Sequence, residues 1–314
     1  MPSTFSSPGN ARRKLRGVLL ALFVQGSALA SSAIASEPMQ PSAPSVVRGH
    51  LLSGDSKRLD EAVSLAESMT KAHPEAPQAH WWHARACSAK AASVGTVKSV
   101  SWWRCHGQHL REAARLQPTN SEWSLSLVQF LSRAPWLVGG DREEAKAQQA
   151  RLAALDAPSG LVASAHLLYA EGQLEPALQA LQRALRGKPA HPEALIALVD
   201  VLELHGRLDE GSKWVQAAIA TMPSDPRARW AIVRFAALNG ESGAIALNYL
   251  DALERDTELY VAPWELAWRR GQILGHAKRW QEAVAVLSQA QSLRPSSKAV
   301  ANSLKLAQQS ANSL

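Results

Sequence analysis

Gly172, Gly206 and Gly240 stand 34 residues apart, and their neighbours share the interval. Ala184, Ala218 and Ala252 keep it, as do Leu181, Val215 and Tyr249; Pro189 and Pro223 complete the pattern between residues 158 and 257. A fixed period of that length means repeated supersecondary units, a tighter constraint than any local propensity. Apolar residues fall at helical spacing on both sides of the glycine: Leu195, Leu198, Val199 and Leu202 before Gly206, Val215 and Ala218 after it. The glycine predicts a tight turn between two helices, and the proline marks a helix boundary. One such pair cannot bury its apolar face alone, so neighbouring pairs must stack.

The pattern resembles the tetratricopeptide repeat, whose 34-residue unit is a helix–turn–helix with small residues at the close crossing and a terminal proline. Ala177, Leu181, Ala184 and Pro189 match the second half of one unit. A later unit matches in both halves, through Gly271 and Leu274, then Ala283, Leu287, Ala290 and Pro295. It is displaced by about four residues, which places a short insertion near TELYVAP. Gly211 and Ile245 stand where alanine is expected, and Ser164 where leucine is usual. The resemblance implies an all-α fold, a right-handed solenoid of stacked antiparallel helix pairs. Repeats proper are expected over 158–296 and divergent helical hairpins over 49–157. In the latter, LDEAVSLAESMTKAHP and HLREAARLQP read as second helices. Asp141, with Glu144 three residues on, predicts a helix cap after the turn APWLVGGD. Residues 297–314 read as a polar capping helix.

The formal charge of +7 falls to +3 once the four basic residues Arg12, Arg13, Lys14 and Arg16 are set aside. Those four precede the apolar run Gly17–Val24 and the small-x-small site Ala28-Leu29-Ala30, the three parts of a secretory signal over residues 1–30. Ala33-Ile34-Ala35 offers an alternative cut after Ala35. Residues 31–48 read as a disordered Ser/Pro-rich tether. The apolar run is too short to span a bilayer, so an exported, periplasmic protein without a transmembrane segment in its mature form is expected. With 46% apolar residues the body can bury a large core. The near-neutral remainder shows no basic stripe for nucleic acid.

No phosphate-binding loop, dinucleotide glycine motif, H-E-x-x-H or G-x-S-x-G occurs, and no cofactor or catalytic residue is expected. One constellation carries chemistry. His83 and Cys87, and Cys105 and His109, are each four residues apart on one helical face. An antiparallel hairpin centred near residue 96 brings the two pairs to matching height. Two Cys and two His make a sensible zinc set. In an exported protein Cys87 and Cys105 equally suit a disulfide. The repeat register, with Trp82 and Ala86 facing Leu110 and Ala113, instead turns the cysteines to opposite flanks and favours free thiols. The alternative register turns Glu112 inward, at a cost in desolvation. All three states stay open.

Eleven tryptophans accompany three tyrosines and four phenylalanines. Filling gaps between divergent repeats is the first explanation; an aromatic binding surface is the second. In the family, the first helix of each unit lines a concave groove that holds peptides or partner helices. The resemblance then implies groove positions at His166, Tyr169, Asp200, Glu203, Trp230, Arg234, Trp268 and Gln272, with Trp230 and Trp268 holding an apolar side chain beside Arg234. The Lys/Asn set that clamps a peptide C-terminus in the family is missing, with Val162 and Ile196 at matching positions. The leading expectation is a non-catalytic protein-interaction scaffold in the periplasm or cell envelope, with a protein or peptide partner. The alternatives are an accessory protein of a solute transporter, since APWLVGGD is similar to a turn of exported repeat proteins, or a metal-dependent enzyme built on His83, Cys87, Cys105 and His109.

Overall fold

The computed structural model describes residues 42–53, 55–187, 191–256 and 261–313. The expected signal segment, most of the tether and the centre of the TELYVAP insertion lie outside those residues. Among them are fifteen α-helices and no strand. They run α1 (Ser42–Leu52), α2 (Ser56–Ala72), α3 (Pro77–Ser93), α4 (Thr96–Leu116), α5 (Ser121–Arg133), α6 (Arg142–Leu155), α7 (Ala157–Ala170) and α8 (Leu174–Arg186). There follow α9 (Pro192–His205), α10 (Ser212–Thr221), α11 (Pro226–Asn239), α12 (Gly243–Arg255), α13 (Pro263–His276), α14 (Trp280–Leu293) and α15 (Lys298–Asn312). Odd and even helices pair, so seven hairpins stack in chain order and α15 closes the end.

The punctuation behaves as the period predicts. Gly172, Gly206 and Gly240 all adopt positive φ, between 65° and 83°, in the turns that follow α7, α9 and α11. Only glycine takes that conformation without a steric penalty. Four residues beyond the next period Lys278 occupies the same left-handed region, with φ 58°, which marks the displaced unit. Prolines open α3, α9, α11 and α13 at the first or second position, where no amide donor is missed.

The departures from consensus have packing explanations. A Cβ on Gly211 would lie 2.7 Å from the Phe235 ring, so even alanine is too large there. Ser164, in place of leucine, donates to the Gly160 carbonyl (2.9 Å) and accepts from Gln149 (3.0 Å). Ile245 cannot enter the close crossing reserved for alanine. The helix instead buries Ala246, Leu250 and Leu253 and leaves Ile245 36% exposed, a one-residue shift that rotates α12 by about 100°. Tyr249 and Ala252, although in phase by sequence, are therefore only half-buried.

One continuous apolar core runs from Trp81 to Ile273, with smaller clusters under α1–α3 and around α14–α15. Residues 42–48, expected to belong to the disordered tether, are helical instead. α1 begins at Ser42 and buries Val47 completely, in the same cluster as Ala62 and Ala66 of α2. At the other end α15 buries Val300 and Ala307 and turns its remaining face outward. First helices touch one another directly, α5 with α7, α9 with α11 and α11 with α13; second helices make no comparable contacts with one another. Crowding on one side and spreading on the other curves the stack and makes the odd helices its inner wall.

Candidate functional site

Charged side chains interrupt the otherwise apolar first helices at a constant register along that inner wall. Glu193 of α9, Arg227 of α11 and Glu265 of α13 form one row; Asp200, Arg234 and Gln272 form a second, two helical turns further along. In the second row Arg234 joins α11 to α9 by ion pairs as well as by apolar packing. Arg234 is 1% exposed, and its guanidinium pairs with Asp200 and with Glu203 at 3.1 Å. Burial works against its charge, yet the two carboxylates hold its pKa above the ordinary arginine value. Arg227 stands 4.0 Å from Glu193.

The wall keeps charges under strain. Burial pushes the Glu193 carboxyl up to about 8 and that of Glu122, on α5, up to about 7; Arg227 pulls both the other way. Arg269 is 2% exposed and its pKa is pushed down to about 10, again by burial. Its guanidinium donates to Gln272 (3.1 Å) and lies 4.2 Å from the Trp268 ring centre. Arg133, at the end of α5, meets His166 Nδ1 at 3.0 Å and stacks 5.8 Å from the Tyr169 ring. That nitrogen therefore accepts from the guanidinium, and burial holds the His166 ring neutral by driving its pKa well below the usual value. Among the described residues the Nε groups of Arg133, Arg234 and Arg269 are buried without an acceptor. A buried donor left unbonded costs on the order of 1–3 kcal/mol, a cost these three guanidinium groups of the wall share.

Six of the eight sequence-derived groove residues, His166, Tyr169, Asp200, Glu203, Arg234 and Gln272, join this wall. The aromatic pocket does not form. Trp230 is 4% exposed inside the main core. Trp268 belongs to the carboxy-terminal clusters, stacks on Trp264 (6.2 Å) and donates to Ser303 of α15 (2.9 Å). Arg234 gives its terminal nitrogens to two carboxylates, which leaves only its Nε unbonded. Glu122, Arg133, Glu193, Arg227, Glu265 and Arg269 were not anticipated. For three of them a signal was legible: a charge at the same early helix position, repeated 34 residues on from Glu193 to Arg227 and 38 residues further in Glu265.

The second cluster sits in the α3–α4 hairpin. Cys87 and Cys105 form a disulfide, with Cα atoms 5.9 Å apart. Cys87 shares a stripe with Ala84 and Ala91, both packed in the main core, whereas Ala86 turns toward α2. The cysteines thus lie in the seam while Leu110 and Ala113 stay buried, and the opposition between the two registers dissolves. Glu112 stays at the surface and bonds Arg115 at 2.8 Å. The donor atoms of His83, Cys87 and Cys105 lie within 4.8 Å of one another. His109 is placed differently from that trio: its ring stacks on His83 (3.8 Å), and its Nδ1 meets His80 Nδ1 at 2.9 Å. Burial, then the neighbouring histidines, pushes His109 down to about 3, and burial pushes His83 down to about 4. Five tryptophans, Trp81, Trp103, Trp123, Trp214 and Trp230, are under 10% exposed, as gap-filling predicts; Trp136 is 84% exposed.

Residues 168–233 match the family model of the tetratricopeptide repeat. That segment carries tetratricopeptide repeats, and the stacked hairpins on either side of it follow the same architecture. Tetratricopeptide structures resemble the chain along most of its length: yeast Tom70 aligns with 14% identity and a TM-score of 0.50 over 96% of this chain and 65% of that one. YrrB, described as having an unusual peptide-binding site, aligns with 16% identity and a TM-score of 0.41 over 63% of this chain and 99% of its own. Human IFIT1 with PPP-AAAA aligns with 16% identity and a TM-score of 0.47 over 80% of this chain; this chain spans about 60% of that one. At such identities the likeness speaks to fold. No curated protein matches the sequence. No helix among the described residues is long and apolar enough to cross a membrane.

Proposed function

We propose that this chain is a non-catalytic scaffold that binds an extended segment of a partner protein along the inner wall and acts outside the cytoplasm. The carrying observation is the set of buried guanidinium groups, Arg133, Arg234 and Arg269, each with an unbonded Nε on the wall of first helices. A polypeptide laid along the wall supplies carbonyl and carboxylate oxygens at intervals, and bonding these donors removes a desolvation cost that the unbound protein bears. The tetratricopeptide fold supports a partner of protein class. The Cys87–Cys105 disulfide supports an oxidising compartment, in keeping with the leader read in the sequence.

A photo-activatable amino acid placed at Tyr169 or Gln272, both on the wall, tests the reading in living cells. Discrete protein adducts are expected from both positions and none from Gln179, which is exposed on the second helix α8. Adducts from Gln179 alone would move the partner to the outer wall. Fractionation by osmotic shock checks the compartment, with the protein expected in the released fraction.

A further inference from the structure

We propose that the α3–α4 hairpin holds a redox-gated site for monovalent copper, in which His83, Cys87 and Cys105 bind the ion when the disulfide is open. The three donor atoms lie within 4.8 Å of one another. His83 and Cys87 are buried and Cys105 is half-buried, so the site is dry on two sides and approachable from one.

The histidine is set up as a ligand by its neighbour. Thr70 of α2 donates its only hydroxyl proton to a backbone carbonyl of its own helix, Glu67 O at 2.9 Å or Ala66 O at 3.3 Å. With that proton on its own helix, Thr70 Oγ1 is an acceptor for His83 Nδ1, 3.1 Å away, in the tautomer that metal binding through Nε2 requires. Nδ1 carries the ring proton and Nε2 keeps the lone pair, the arrangement in which an outer partner fixes a metal-binding imidazole. Nothing in the inner-wall reading uses this pair of helices.

Two thiolates and one imidazole form a soft, three-donor set. Soft thiolates select Cu(I) and Zn(II) among common ions. Zinc takes four ligands, the last a protein group or water. His109 lies outside the trio, its Nδ1 engaged with His80, so the trigonal set favours Cu(I).

Opening needs a dithiol reductant. Its thiolate attacks the half-buried Cys105 sulfur, breaks the Cys87–Cys105 bond and forms a mixed disulfide. Its second thiol then displaces Cys105, leaving two protein thiols and one oxidised reductant. Cu(I) binding releases both thiol protons. The same sulfurs cannot bond each other and the ion, so oxidation empties the site.

The full chain, reduced with a phosphine under anaerobic conditions and titrated with Cu(I) held by a weak chromophoric chelator, should take up one equivalent; the oxidised chain should take up none. X-ray absorption on the unaltered protein should show two sulfur and one nitrogen neighbours. Thr70→Val should weaken binding by about 10–100-fold, as loss of an outer-sphere partner does, and His83→Gln by more, with helicity checked by circular dichroism. His109→Gln should leave uptake unchanged. A reduced chain of native helicity that takes no Cu(I), a two-sulfur spectrum, or uptake indifferent to both Thr70→Val and His83→Gln would overturn the site. Tight retention of Zn(II) with a fourth protein ligand would overturn the trigonal assignment.

Discussion

Glu193 shows how a single side chain reports on the inner wall. Its side chain is half-buried on α9, with Arg227 4.0 Å away, and desolvation raises its pKa from 4.5 to about 8. In the unfolded chain the proton leaves near the ordinary value. A raised folded pKa means that this group's contribution to stability is complete below 4.5 and is lost as pH rises through about 8. Glu193→Gln keeps the size and the polar contacts without the titration. Its melting temperature relative to the parent should therefore climb as pH is taken from about 5 to about 8.5. A difference that stays flat over that window in parallel thermal melts would place Glu193 in contact with water. Neither the pKa nor the burial was legible in the sequence, because a glutamate at the start of a helix ordinarily faces solvent and stabilises the helix dipole. Only the neighbouring repeat, through α11, closes over it.

At the scale of elements, the turn between α5 and α6 is the most sharply determined piece of backbone. Residues 136–138 make a short 3-10 turn, Gly139 adopts φ 100°, and the Asp141 amide bonds the Leu131 carbonyl at 3.1 Å. Two arginines of α4 clamp it, Arg104 to the Leu137 carbonyl (2.9 Å) and Arg111 to the Gly139 carbonyl (2.8 Å). A Cβ on Gly140 would sit 1.8 Å from the Ala134 carbonyl oxygen, a backbone atom that cannot move aside alone. Gly140→Ala should therefore cost more than about 2 kcal/mol, in the range of strained backbone and overpacked sites. Asp141→Ala, which removes the cap over the Glu143 and Glu144 amides (both 3.0 Å), should cost about 1 kcal/mol. Chemical denaturation of the two variants should rank them in that order. The cap was legible from Asp141, which follows the turn and precedes a run of good helix formers. The reciprocal role expected of Glu144 was not realised, since Arg111 takes its carboxylate at 2.8 Å. A cap is local and a sequence window contains it; a contact 33 residues away is tertiary and no window does. The same distinction explains α12, where the period assigned Tyr249 and Ala252 to the core but one bulky residue, Ile245, turned the helix.

For the whole molecule, a stack in which each hairpin touches its neighbours should lose stability locally rather than all at once. The disulfide tests this, because it lies at one end. It closes a loop spanning 18 positions between α3 and α4, and removing such a constraint should cost on the order of 3 kcal/mol. α1 and α2 depend on α3 through the small cluster of Val47, Ala62, Ala66, Ala79 and Ala86. They have no other large partner and should fray with it. α9 to α14 lie several hairpins away and hold their own ion pairs, Arg234 with Asp200 and Glu203, and Arg270 with Asp251 and Glu254. In the double variant Cys87→Ser, Cys105→Ser, amide hydrogen exchange should accelerate strongly in α1–α4, modestly in α5 and α6, and little beyond α9. A uniform acceleration along the chain would mean that the continuous core from Trp81 to Ile273 couples the hairpins into one cooperative unit. The inner wall would then be set by the redox state of a disulfide far from it. A graded response leaves the wall intact when the disulfide opens, so that the two ends of the molecule respond to their surroundings independently.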